Sequence, residues 1–184
     1  MPRPQPLHHP LLRITPSTHD VLLALAYATP HNVAGRVVYQ QALCLLHEDA
    51  ERALLVAINL ARAQGLRLKI FDAYRPQAAQ TIFWNCAPDS PYVADPSEGS
   101  DHTRGTAVDL SLVNAQGQEL DMGTGFDDMT PSSHHGSQLV SAQAQDNRAR
   151  LLDIMQGAGF APYAYEWWHY ALPRLPQYQL IDSA

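Results

Sequence analysis

Two stretches of this sequence place imidazole and carboxylate groups at short, fixed spacings. In Ser100-Asp101-His102-Thr103-Arg104-Gly105-Thr106-Ala107-Val108-Asp109 a histidine is followed seven residues later by an aspartate. In Glu166-Trp167-Trp168-His169 a glutamate precedes a histidine by three. Two histidines and an aspartate are the donor types that hold catalytic zinc, which takes three protein ligands and leaves a fourth position for water. A further carboxylate outside the ligand set can then accept the proton of that water. His102, Asp109 and His169 therefore read as zinc ligands, with Glu166 as the spare base, in a site for hydrolysis.

Spacing constrains the backbone that carries them. Residues seven apart on a straight helix share a face but sit about 10.5 Å apart along its axis, at ~1.5 Å per residue. That is too far for two short side chains to meet one ion. On a straight strand an odd separation sends His102 and Asp109 to opposite faces. The arrangement that works is a loop bearing His102, a bend at Gly105, and a strand over Thr106–Leu112 bearing Asp109. Glycine permits the bend because, lacking Cβ, it reaches positive φ or a close backbone approach. Glu166 and His169 would share a face on a helical turn. The adjacent tryptophans favour a strand instead, and a bulge or strand end must then turn both groups inward. Both arrangements stay open at this point.

The two motifs together resemble the D-alanyl-D-alanine metallopeptidases, marked by S-x-H-x-x-G-x-A-x-D and, far downstream, E-x-x-H. The sequence looks most like the vancomycin-resistance type of D-alanyl-D-alanine dipeptidase. Supporting stretches are Tyr27-Ala28-Thr29, Phe71-Asp72-Ala73-Tyr74-Arg75-Pro76 and Asp121-Met122-Gly123-Thr124-Gly125-Phe126-Asp127. The resemblance runs from about Asp20 to Tyr170.

It implies an α+β domain with a central, mainly antiparallel sheet flanked by helices and a zinc site in a cleft. The reaction implied is hydrolysis of D-alanyl-D-alanine to two D-alanines by a zinc-activated water, with Glu166 as general base and acid. The resemblance assigns the arginine of D-A-Y-R-P, Arg75, to the oxyanion, where a cation stabilises developing negative charge. Ser100 and Asp127 are candidate partners of the substrate's free ammonium, and Tyr27 is a candidate substrate contact. Against these stand plainer readings: Ser100 capping a turn, Asp127 pairing with a local arginine, Tyr27 forming wall or core.

The elements that must position these groups are partly visible. His47–Gln64 has Leu54, Leu55, Ile58 and Ala61 in helical rhythm, acids Glu48 and Asp49 in its first turn, and Gly65 as a stop. Leu66, Leu68 and Ile70 alternate with Arg67 and Lys69, the pattern of a half-buried strand. Pro76 could open a helix through Trp84. Asn114–Gly117 reads as a turn into a short strand at Glu119–Met122. Phe126–Ser141 reads as a long loop, of the kind that walls or covers a substrate site. Gln145–Met155 looks helical, and Phe160–Tyr170 forms the last strand region. Strands and helices mix without βαβ alternation, so the class is α+β.

The chain has 184 residues, 46% of them hydrophobic and 16% charged, which fits one soluble domain with a real core. Residues 1–19, with five prolines, read as an irregular N-terminal arm, and residues 20–184 as the catalytic domain. A formal net charge of −6 argues against nucleic acid as a partner. The apolar run Val21–Ala28 is too short to span a bilayer. With no apolar core of a signal peptide in the lead-in, no membrane partner and a cytoplasmic setting are expected. Cys44 and Cys86 read as two buried free thiols. His134-His135 point different ways on most backbones and read as a solvated pair. Tyr163, Tyr165, Trp167, Trp168 and Tyr170 read as core and pocket wall.

Two other functions compete with the dipeptidase. One is a D,D-carboxypeptidase or endopeptidase using the same chemistry on larger peptidoglycan peptides. The other is a non-catalytic zinc-stabilised binding module. Such a module would keep the ligands and lose the base or the cation, whereas this sequence has both Glu166 and Arg75.

Overall fold

The structure, a computed structural model, describes residues 11–88 and 90–181. Strand β1 (Leu11–Ile14) leads through the short helix α1 (Pro16–His19) to β2 (Leu22–Leu23). Then come β3 (Cys44–His47), helix α2 (Glu48–Ala63), β4 (Arg67–Asp72) and α3 (Gln77–Cys86). The second half holds β5 (Ala107–Val113), α4 (Ala142–Gly157), β6 (Ala161–Tyr163) and β7 (Glu166–Ala171). A five-stranded sheet runs β2-β4-β5-β7-β6, with β2 parallel to β4 and every other pair antiparallel. Strands β1 and β3 form a separate antiparallel pair. This is the expected α+β class with a mainly antiparallel sheet.

Helix α2 forms where the sequence asks for it. The His47 Nδ1 accepts the Asp49 backbone N–H at its start, and Glu48, Asp49 and Glu51 face the positive end of its dipole. Leu54, Ala57, Ile58 and Ala61 bury its inner stripe, and Gly65 ends it at φ +71°. That stripe packs against β4 and α4, and α4 in turn lies against β5, β6 and β7. In β5 the two-residue period puts Val108, Leu110 and Leu112 into the main core. Ala107, Asp109 and Ser111 fall on the opposite face, and all seven residues are buried. The central strand thus divides an apolar core from a buried polar layer.

Several expectations are corrected. Residues 11–19, expected within an irregular arm, form β1 and α1, because Leu11–Ile14 pairs residue by residue with Cys44–His47. The first ten residues of that arm lie outside the described residues. Glu119–Met122 is not a strand: Glu119 makes only an isolated bridge to Val113. The carbonyls beyond it are taken by α4 side chains, Asp121 by Asn147 and Met122 by Arg148. Helix α4 starts three residues earlier than expected, where Ser141 Oγ caps it by accepting the Ala144 N–H. Pro76 occupies the N-cap of α3 rather than its first turn. Cys44 is buried, but Cys86 is exposed, closing the last turn of α3 beyond the buried Ala79, Gln80 and Phe83.

Candidate active site

Three backbone features bring the polar groups to one end of the sheet. The first is the turn from Ser100 to Gly105. His102–Arg104 is a short 3-10 helix closed by Gly105 at φ +70°. A Cβ there would lie 2.7 Å from Leu11 Cδ2 and 3.1 Å from the His47 nitrogen, so the bend needs glycine on both counts. The Gly105 carbonyl accepts the His47 N–H at 2.8 Å, which fixes the turn to the end of β3. The second is a register shift between Ile70 and Asp72 that sets Asp72 opposite Asp109. The third lies in the last hairpin, where Tyr163 pairs with Glu166 while Pro162 pairs with Tyr170. The surplus residues of β7 re-aim its side chains, so Glu166 and His169 reach one pocket from an extended backbone. Of the two arrangements left open by the sequence, the strand with a bulge is the one adopted.

The three candidate ligands meet. Asp109 and His169 are directly paired across β5 and β7, and His169 Nδ1 lies 2.9 Å from Asp109 Oδ1. His102 Nε2 lies 3.1 Å from His169 Nδ1 and 3.3 Å from Asp109 Oδ1. One ligand atom from each lies within 4.8 Å of the others. His102 Nδ1 sits 2.6 Å from the Ala73 carbonyl, an acceptor only, so the ring proton belongs there. That leaves the lone pair of Nε2 aimed at a second imidazole nitrogen and a carboxylate oxygen. Such a convergence of acceptors fits a divalent cation, and the fixed tautomer is the usual support of a metal-binding histidine. Burial alone would raise the Asp109 carboxyl, but the His102 and His169 imidazoles hold it below the usual carboxylate range. His169 is shifted upward: its burial opposes the charge, and the Asp109 hydrogen bond outweighs that.

Glu166 is buried beside this cluster, its Oε2 3.9 Å from His169 Nδ1. Burial, reinforced by Asp109 and Asp127, pushes its carboxyl up to about 8 against the opposing pull of His169 and Arg75. Arg75 enters from the other side. Its Nε and one terminal nitrogen donate to Asp72 Oδ2 at 2.9 and 2.8 Å, and the other terminal nitrogen donates to Gln80 Oε1 at 3.0 Å. The guanidinium lies 5.1 Å from the ring centroids of both Tyr27 and Phe83, and 3.6 Å from Asp109 Oδ2. It is held as a rigid, planar cation against the candidate ligands.

A pocket of about 200 Å³ opens onto these groups, and Tyr27, Arg75, Ser100, His102, Asp127, Glu166 and His169 all line it. The candidate ligands, base, cation and substrate contacts other than Asp109 therefore line the same space, and Asp109 meets two of them, its Oδ1 3.3 Å from His102 Nε2 and 2.9 Å from His169 Nδ1. Ser100 Oγ accepts the His102 N–H at 3.2 Å, so it caps the turn as well as lining the pocket. Tyr27 donates its hydroxyl to Asp127 Oδ1 at 3.0 Å. Asp127 thus pairs with a tyrosine, not with a local arginine. Its other oxygen is buried with no partner, and burial followed by repulsion from Asp109 raises this carboxyl to about 7.

His134 and His135 do not form a solvated pair. His134 Nε2 shares a 2.8 Å hydrogen bond with the Tyr92 hydroxyl, and His135 packs against Tyr170. Burial, together with nearby Arg148, lowers His135 to about 4. Trp167, Trp168 and Tyr170 are buried, while Tyr163 lines the pocket mouth, in keeping with core and wall.

Two groups around the site escaped the reading of the sequence. Asp72 is fully buried and binds Arg75, and it accepts the Tyr39 hydroxyl at 2.5 Å. The signal for it was present, as the acid three residues before Arg75 in D-A-Y-R-P. Gln80 had no such signal, because its position on α3 is visible only once the helix is docked.

Comparison with known proteins gives the chain a family. Residues 9–182 match the profile of a family described as D-ala-D-ala dipeptidase. A D-alanyl-D-alanine dipeptidase of Escherichia coli (strain K12) is 48% identical over 162 residues, 88% of this chain and 84% of that protein. Proteins of the same name from Enterococcus faecium and Streptomyces coelicolor are 34% and 37% identical. The first alignment covers 84% of this chain and 87% of the relative, the second 78% and 77%.

Proposed function

Since the chain belongs to the D-Ala-D-Ala dipeptidase family, we propose that it hydrolyses the free dipeptide D-alanyl-D-alanine to two D-alanines with zinc as its cofactor. The observation that carries this reading is the convergence, in one small pocket, of His102, Asp109 and His169 with a buried carboxylate and a buried guanidinium. The pocket is well below the roughly 300–1,000 Å³ usual for drug-sized ligands, which suits a dipeptide. No helix among the described residues is long and apolar enough to cross a membrane. A small diffusible substrate accords with the cytoplasmic setting, which stays part of the proposal.

His102, Asp109 and His169 would hold the zinc, which when bound supplies a Lewis acid for the scissile carbonyl and lowers the pKa of water. Glu166 accepts the proton of the attacking water and returns it to the leaving amine. Burial holds the Glu166 carboxyl above the ordinary carboxylate range in the metal-free site, and a bound cation would draw it down toward the range in which a carboxylate both accepts and returns a proton near neutral pH. Arg75, locked by Asp72 and Gln80, presents fixed positive charge to the oxygen that becomes negative, without reorganising during the reaction. Asp127 offers its unpartnered oxygen to the substrate's ammonium, with Tyr27 orienting the carboxylate and Ser100 lining the same pocket.

Assay of the zinc-loaded protein against D-Ala-D-Ala, L-Ala-L-Ala and N-acylated D-Ala-D-Ala tests this reading. Hydrolysis of the free D,D-dipeptide alone is expected. Preference for the acylated compound selects the carboxypeptidase instead, and no hydrolysis of any of them overturns the proposal.

A further inference from the structure

Arg148 lies on α4 with its side chain buried, yet it meets no carboxylate within salt-bridge distance among the described residues. Its donors go instead to one loop. Nε donates to the Met122 carbonyl at 2.7 Å, and one terminal nitrogen donates to the carbonyls of Ser132 and His134 at 2.8 and 3.3 Å. The other terminal nitrogen donates to Thr124 Oγ1 at 3.3 Å. A buried charge is costly, so a guanidinium used to gather uncharged loop carbonyls has to return that cost in what it holds.

What it holds is the segment that carries Asp127. The clamped carbonyls lie on both sides of that residue in sequence. Asp127 is itself in two unfavourable conditions. Its φ is +62°, a left-handed backbone in a residue with a Cβ, and one carboxylate oxygen is buried without a partner. Such conformations persist only where the surroundings over-determine them. Thr124 completes the fastening: its hydroxyl also accepts the Trp167 indole N–H at 2.9 Å and lies 2.9 Å from Ser133 Oγ, which uses its whole hydrogen-bonding capacity. Trp167 is the residue after Glu166, and the Arg148 guanidinium lies 5.7 Å from its ring centroid. The same cation therefore ties the Asp127 loop to the strand that bears Glu166 and His169.

We propose that Arg148 is a positioning residue for substrate recognition, clamping the 122–134 segment so that the free oxygen of Asp127 faces the ammonium of the dipeptide. This rests on the dipeptidase reading and on Asp127 as the ammonium partner. Loss of the clamp relaxes the strained aspartate and weakens binding, while Asp109, His169 and Glu166 stay held by the pairing of β5, β6 and β7, His102 by its turn tied to β3, and Arg75 by Asp72 and Gln80.

The test is a double-mutant cycle of R148M and D127N in the zinc-loaded protein, with kcat, KM, metal content and melting temperature measured for each. R148M is expected to raise KM for D-Ala-D-Ala about tenfold, the equivalent of one well-made charged hydrogen bond. Changes in kcat should stay below about threefold, and metal content should not change. D127N should raise KM comparably, and the double variant should be no worse than D127N, because coupled residues are not additive. R148K should recover only part of the affinity, since an ammonium cannot span the separated carbonyls. Should R148M fail to fold, R148K and T124V carry the test, each with an expected rise in KM and unchanged metal content. Unchanged KM in the folded Arg148 and Thr124 variants overturns the proposal, as do multiplicative effects in the cycle. Unchanged KM in D127N removes the ammonium from Asp127 and overturns the proposal with it. Wild-type turnover of the dipeptide reports separately on the dipeptidase reading.

Discussion

Asp109 and His169 stand opposite each other on adjacent antiparallel strands, and their side chains close the remaining gap to 2.9 Å. The ladder that holds the sheet together is thus also what assembles the candidate metal site. His102 joins from a turn tied by its own backbone to β3. The site inherits the rigidity of the core beneath it.

The first prediction concerns stoichiometry. One zinc per chain is expected, at about 2.0–2.1 Å from nitrogen and 2.0–2.2 Å from oxygen. H102A/H169A should lose it, and H134A/H135A should retain it. Elemental analysis of the purified variants decides. Undiminished zinc in the first would remove these histidines from the ligand set.

Glu166→Gln should keep the metal and the fold but lose turnover, because an amide cannot accept the proton of water. General-base contributions are typically 10²–10⁴-fold, and a loss smaller than about tenfold would point to another base.

Arg75 should affect turnover more than binding, because its partner charge develops in the transition state. Arg75→Ala should lower kcat by more than it raises KM, and Arg75→Lys should restore only part, having lost the planar fork that Asp72 and Gln80 hold. A near-normal kcat with a large drop in melting temperature would make Arg75 purely structural.

The raised carboxyl of Glu166 has a consequence for stability. Its value of about 8 in the folded chain lies above the unfolded value of 4.5, so between these pH values the folded state binds the extra proton. Stability from this group is present at low pH and is lost as pH rises through 8. Metal-stripped protein should therefore melt at a lower temperature at pH 8.5 than at pH 6, and Glu166→Gln should reduce that difference, with the raised Asp127 and His169 supplying the remainder. For a domain of this size each kcal/mol moves the midpoint by about 2–4 °C, well within the resolution of a calorimeter. Equal pH dependence in the two proteins would contradict the shift.

Much of the site was legible in the sequence because its spacing is local. The seven-residue separation of His102 and Asp109 excluded both regular elements and required a bend at Gly105, where φ is indeed +70°. Helix α2 and the neighbouring strand β4 followed from residue periodicity. What escaped detection depends on tertiary partners. Leu11–Ile14 lies among prolines and is a strand only because Cys44–His47 pairs with it. Glu119–Met122 has a strand-like pattern but gives its carbonyls to Asn147 and Arg148, two residues that look like the solvent face of a polar helix. Asp-Asn-Arg at 146–148 carries no local sign that its arginine is buried. The bulges that re-aim Asp72 and the β7 residues are likewise properties of paired strands, and no single segment encodes them.

The pairing of β5 with β7 also sets an order of events during biosynthesis. His102 and Asp109 leave the ribosome close together, whereas His169 lies 60 residues beyond Asp109 in the chain. At the proposed zinc site two donors would hold the ion far less tightly than three, so durable capture would await docking of the final hairpin. Trp167 and Trp168 lie on that hairpin's second strand and are buried in the folded chain, so their burial would report its docking. In refolding experiments, uptake of zinc from a fluorescent indicator should follow the change in tryptophan emission and not precede it. Metal content would then serve as a record of chains that completed their last strand.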